Sequence, residues 1–158
     1  MMQKKFVVGI WLLQDLLQVL LIGFCLVPNL CVTYLLLVTM LDFSNDALAR
    51  DALWGAFVGG ILYDLRWTNV PGASALLWCL SLAVASAVWG HIPQNARNYV
   101  AHFWLVFFVL LSSELIHFVL FAVSSGAILR LMLLNMVMSL VVALISSAIF
   151  MRNQHGDF

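Results

Sequence analysis

Charge is what this sequence has least of. Of its 158 residues only 9% are Asp, Glu, Lys or Arg, against 65% hydrophobic, and the mean hydropathy is +1.07. Glutamate occurs once, as Glu114. The Glu114–His117 spacing is the i, i+3 step used by two-metal carboxylate bundles, but those need several glutamates and a second copy, so no metal site is expected. No H-E-x-x-H run is present, the serines at Ser112, Ser113, Ser124 and Ser125 lie in no G-x-S-x-G context, and no P-loop or Gly-rich dinucleotide fingerprint occurs. The expectation is a non-enzyme without a cofactor. The formal net charge is zero and no basic stripe exists to hold phosphates, so nucleic acid is not an expected partner. Three cysteines, Cys25, Cys31 and Cys79, have neither metal-ligand nor redox spacing and read as small packing residues.

What the chain has instead is long apolar runs. About 20 apolar residues cross a bilayer core of about 30 Å, and several runs approach that length. The reading is an all-α polytopic integral membrane protein, one transmembrane domain over residues 1–158. Six helices are expected, at about 6–26, 30–43, 47–65, 72–89, 99–121 and 128–150. Helices 2 and 3 are short for full spans at 1.5 Å per residue; a re-entrant hairpin there, with four full spans, is the alternative. Lys4 and Lys5 precede the first run, but it is too long for a signal peptide. It carries Gln14, Asp15 and Gln18, and reaches Pro28 without a small-residue cleavage site. With the N-terminus cytoplasmic, Lys4, Lys5, Arg50, Arg97 and Arg152 fall inside and Arg66 and Arg130 outside, which favours both termini cytoplasmic.

Small residues at four-residue spacing let membrane helices approach closely. Helix 3 carries Ala52, Ala56 and Gly60 on one face, with Gly55 and Gly59 beside them, and the next step of four is Asp64. Asp64 is therefore expected on the packing face, at the outer end of helix 3. Helix 4 carries Ala75, Cys79, Ala83 and Ala87, expected to face helix 3 across a short loop. Helix 6 carries a more polar stripe, Asn135, Ser139, Ala143 and Ser147, expected to hydrogen-bond a neighbouring helix. Phe103, Trp104, Phe107 and Phe108 point helix 5 toward lipid or a partner.

A charge at the bilayer centre costs at least about 2.5–3.5 kcal/mol, so each acidic residue within a run needs a reason. Asp15 sits about half-way through helix 1 between Gln14 and Gln18; the favoured reading is a neutral carboxyl hydrogen-bonded inside the bundle, and the alternative an ion or proton site. Glu114 and His117 read as a polar pair facing the bundle or a partner. Asp64, Arg66, Glu114, His117 and Arg130 all map to the outer side. Either they form one outward-facing network, or Asp64 pairs with Arg66 or Arg130 to tolerate burial.

These features together resemble the MreD family, the small integral membrane component of the bacterial rod-shape complex. A glutamine-containing first helix is followed by "VPNLCVTYLLLV", Val27 to Val38, similar to the family's Pro-Asp and apolar run. Then comes "GAFVGGILYDL", Gly55 to Leu65, similar to its glycine-rich helix ending in Asp-Leu, and Pro71-Gly72 opens the next helix. Asn29 stands where the family has Asp, and Pro71-Gly72 where it has Pro-Leu-Gly. The resemblance implies a non-catalytic scaffold in the bacterial inner membrane. Its implied partners are MreC, the MreB filament, RodA and a class-B penicillin-binding protein. Structural or docking roles are implied for Pro28, Gly59, Gly60, Asp64, Pro71 and Gly72. The family fold is similar to the substrate-binding subunits of energy-coupling-factor vitamin transporters.

That similarity supplies the rival reading, a small-molecule-binding transport subunit with an outward pocket. Such subunits dock their energising partner through alanines at four-residue spacing on helix 1, and helix 1 here has no alanine. An enclosed outer cavity lined by Asp64, Glu114 and aromatic residues would favour it. A third reading, an ion-coupled channel subunit, rests on Asp15.

Overall fold

The computed structural model describes residues 4–21, 27–68, 70–120 and 128–155; the side chains of His117 and Arg130, and all of Cys25, lie outside the described part. Every regular element there is helical. Six α-helices follow one another: α1 (Lys4–Leu20), α2 (Leu30–Leu41), α3 (Asp46–Tyr63), α4 (Ala73–His91), α5 (Tyr99–Leu120) and α6 (Ile128–His155). A π-helical turn, Asp64–Thr68, extends α3, and a short 3-10 turn, Gln94–Ala96, precedes α5. The expected order of six helices holds, but α6 runs five residues further than expected, and the apolar run of helix 3 ends in a π-turn.

Length and composition make three stretches apolar enough to cross a membrane: Ala73–His91, Tyr99–Ile116 and Leu133–Asn153. α2, at 12 residues, is about 18 Å long. α3 has 18 residues but carries Asp46, Arg50 and Asp51 in its first two turns. Large apolar side chains cover the outside: Leu76 is 70% exposed, Trp54 67% and Leu65 65%. Soluble monomers rarely leave such extended apolar surface bare, which is compatible with a helical membrane protein.

Local chemistry sets the helix starts. Asn29 accepts the Val32 N–H at 3.1 Å and caps α2; Asn45 accepts the Leu48 N–H at 3.1 Å and caps α3. Side-chain caps of this kind satisfy one of the N–H groups that a first turn leaves without partners. Pro28 is fully buried just before α2. α4 begins differently. Its N-cap, Gly72, has φ +92° and offers no side chain, a backbone state that glycine adopts without penalty.

The core lies where α2 meets its neighbours. α2 buries Leu35, Leu36 and Met40 against Trp78 and Leu82 of α4 and Val106 and Leu110 of α5. α3 packs along α4, α5 along α6, and α6 also along α2. α3 and α4 touch backbone to backbone: a Cβ on Gly60 would lie 2.3 Å from the Ala75 Cα and 2.5 Å from its N. One position earlier, Gly59 makes room for the Trp78 ring, which would stand 3.1 Å from a Cβ there.

The helix 4 stripe needs correction. Ala75 is buried against α3 and Cys79 is half-buried, its Sγ 3.7 Å from the Leu53 carbonyl oxygen, but Ala83 and Ala87 are exposed. The buried face of α4 is Ser74, Ala75, Trp78, Leu82, Ala85 and Trp89. A strict four-residue step drifts around the helix by about 40° each time, so the stripe leaves the interface after two steps. Helix 5 divides as well: Trp104 and Phe108 are exposed, whereas Phe107 is buried.

Candidate functional site

Polar side chains gather where α1, the start of α2, the end of α3 and the start of α4 come level. Asp64 is the centre of this belt. It is fully buried, and both its oxygens accept the Ser74 N–H, at 3.0 and 2.9 Å. It performs from ten residues away the capping that Gly72 cannot. A carboxylate at this position also complements the positive end of the α4 dipole. The step of four from Gly60 put Asp64 on the packing face, and the close Gly60–Ala75 approach brings Ser74 within its reach.

Arg66 pairs elsewhere. Residues two apart on a helix face nearly opposite directions, so Arg66 turns from Asp64 toward α1. Its Nη1 lies 2.7 Å from the Asp15 Oδ2, and its guanidinium sits 5.7 Å from the Trp67 ring centre. Trp67 Nε1 donates to the other Asp15 oxygen at 3.1 Å. Asp15 is therefore engaged by Arg66 and Trp67, level with the end of α3. Its two neighbours are also engaged: Gln14 Oε1 accepts the Cys31 N–H at 3.0 Å, and Gln18 Nε2 donates to the Tyr63 hydroxyl at 2.8 Å. Gln14 thus adds a second cap to α2.

Glu114 belongs to the α5–α6 seam. It accepts a hydrogen bond from the Ser139 hydroxyl, at 2.5 Å. The helix 6 stripe is buried along its whole length, Asn135, Ser139, Ala143 and Ser147 alike. At the other end of the seam, Ser147 Oγ lies 3.1 Å from His102 Nδ1. The His102 ring stacks on Phe150 at 4.5 Å, with Trp89 edge-on to both. His102 is fully buried and was not among the sequence candidates. Its signal was a lone imidazole on the helix face that also carries Val106 and Leu110.

Glu114 and Ser113 also line a small, partly open space with Gln14, Val27, Asn29, Tyr63 and Trp78. Its volume is about 50 Å³, room for one or two waters at about 30 Å³ each. Asp64 is not in its wall. Larger spaces, of about 400, 320 and 190 Å³, are open apolar grooves between helices. Drug-sized ligands occupy pockets of about 300–1,000 Å³ with converging polar groups. Among the described residues no group of three or more His, Cys, Asp and Glu side chains is placed to hold a metal ion.

Of the sequence candidates, Asp15 and Arg66 meet directly, and Asp64, Gly60 and Gly72 meet at the start of α4. Gly59 seats Trp78. Pro28 is buried beside the α2 cap, whereas Pro71 is exposed in the turn before α4. Glu114 lies apart from Asp64. The proposed His117 and Arg130 contributions fall on side chains outside the described part. No family model, curated protein or solved structure matches the chain.

Proposed function

We propose that this chain is a non-catalytic, multi-pass scaffold subunit of the bacterial elongation machinery, akin to the MreD family. In this reading all six helices cross the inner membrane and both termini are cytoplasmic. Its partners are a bitopic MreC-like protein and, through it, MreB filaments, RodA and a class-B penicillin-binding protein. The observation that carries the reading is how the intramembrane polar groups are used. Asp64, Gln14, Gln18, Asp15, Glu114 and His102 each bond a neighbouring helix or turn. Polar side chains used this way tie membrane helices together, and they leave rigid apolar faces for other membrane proteins. Asn29 fits the same picture, since it fills the helix-capping role open equally to Asp.

A vitamin-binding subunit would need its converging polar groups around a ligand-sized chamber. Among the described residues, the partly open polar-lined space of about 50 Å³ is several-fold smaller than such a chamber. The test is complementation in a rod-shaped bacterium lacking its own subunit of this kind. Expression of this chain should restore rods, and Asp64→Leu should give rounded cells. Spherical cells despite normal membrane levels of the unaltered chain would count against the scaffold reading.

A further inference from the structure

α1 differs from the other helices in what it buries. Its two fully covered described side chains are Gln14 and Gln18, both amides, whereas Phe6, Leu12, Leu16 and Leu20 are exposed. In lipid, helices gain nothing from hiding apolar surface from water, and are held by close packing and interhelical hydrogen bonds; among its described residues α1 buries no large apolar side chain. The attachment of α1 therefore depends on its polar ties, and these lie in one stretch of five residues, Gln14 to Gln18. Toward the other end, Phe6 meets the Tyr34 ring in a tilted contact at 5.9 Å, and Val7 and Ile10 are half-buried.

The charged tie is the Asp15 pair with Arg66, and the Trp67 indole shares the same carboxylate. Both receiving side chains stand on the π-turn, which Asp64 anchors to α4 from the other side. Single π-turns recur at functional positions in helices. Gln14 and Tyr63, one end of each of the two amide ties, also wall the partly open polar-lined space that Glu114 borders. So, among the described residues, α1 buries little apolar surface yet supplies Gln14 to the wall of a partly open polar-lined space, and a charged clasp fastens it.

We infer that α1 is a releasable side wall, latched by Asp15 on Arg66 and Trp67, and that opening the latch moves α1 away and widens access to Glu114, which is half-buried while α1 is docked. The Arg66 side chain is 53% exposed against 14% for Asp15, so the clasp is reached from the arginine side while α1 is still docked.

Electron spin-echo distances in lipid nanodiscs test this, with the three native cysteines replaced by serine. One label pair, at Leu12→Cys and Val84→Cys, spans α1 and α4. A second, at Val84→Cys and Phe108→Cys, reports on the rest of the bundle. The expected result is one short Leu12–Val84 population in the parent and an added longer one in Asp15→Asn and in Arg66→Gln. The second pair should not change, and the exchanged double variant Asp15→Arg with Arg66→Asp should recover most of the short population. Modification of Glu114 by dicyclohexylcarbodiimide, read by peptide mass, should quicken several-fold in the single variants and slow again in the exchange. Trp67→Phe, which removes only the indole donor, should move both readouts the same way by less, and serves if the charge variants fail to accumulate. An unchanged Leu12–Val84 distribution in folded single variants, or in folded Trp67→Phe, would overturn the latch. Equal broadening of both label pairs would overturn it too, since that is general loss of packing.

Discussion

Gly60→Ala adds one methyl group where α3 and α4 touch. The new Cβ would lie 2.3 Å from the Ala75 Cα and 2.5 Å from its N. Carbon atoms rest comfortably at about 3.5–4.0 Å, and backbone atoms cannot rotate aside. The start of α4 must therefore retreat by more than about 1 Å. The Ser74 N–H moves with it, and its bonds to Asp64, now 2.9 and 3.0 Å, stretch beyond useful length. Overpacking costs about 1–3 kcal/mol and a stranded buried N–H about 1–3 more. The better helix propensity of alanine returns about 1 kcal/mol. A net loss of about 1–5 kcal/mol follows. Unfolding from mild detergent into SDS, followed by tryptophan fluorescence, measures it, since Trp78 packs over the adjacent Gly59. Gly9→Ala is the control, because a Cβ there meets nothing within 4 Å and should be neutral or stabilising. If Gly60→Ala unfolds at or above the parent midpoint while Gly9→Ala behaves as stated, α3 and α4 do not meet through Gly60.

Asp64→Asn keeps one acceptor for the Ser74 N–H and should cost about 1 kcal/mol, whereas Asp64→Leu keeps none and should cost about 2–4; the same SDS titration ranks them, and equal midpoints would contradict the capping role. His102→Phe preserves the stack on Phe150 but strands the buried Ser147 hydroxyl, a loss of about 1–3 kcal/mol. Adding Ser147→Ala should recover most of it in a double-mutant cycle, and strict additivity would deny the bond. Single cysteines at Ser44, Thr68, Asn95, Ser125 and His155, in a chain without its own cysteines, should label from inside, outside, inside, outside and inside. Labelling of Asn95 from outside would sink the six-span topology.

The helices themselves were legible in the apolar runs, and the start of α4 in Pro71-Gly72, whereas the caps at Asn29 and Asn45 emerged only from the structure. The face of Asp64 was legible too, one step of four beyond Gly60. Its partner was not: the Ser74 N–H is a backbone group that any residue but proline would supply, and only the turn geometry selects it. The Asp15–Arg66 pair was hidden for a different reason. It depends on how far α1 and α3 slide past each other, and nothing in either helix alone sets that level. On α4, residue size misled. Small Ala83 and Ala87 face outward while bulky Trp78 and Trp89 are inside, because Gly59 clears the space that Trp78 fills. The polar stripe of α6 was read correctly because α5 and α2 flank that helix on two sides, so a drifting stripe stays covered.

Capture of the tagged full-length chain from its host in mild detergent, with identification of co-purifying proteins by mass spectrometry, bears most directly on the scaffold role. Cell-shape proteins, an MreC-like bitopic partner first and with it RodA or a class-B penicillin-binding protein, are the predicted companions, and Asp64→Leu should reduce their recovery at equal bait. Recovery of transporter ATPases and their coupling subunit instead, without any cell-shape protein, would contradict it.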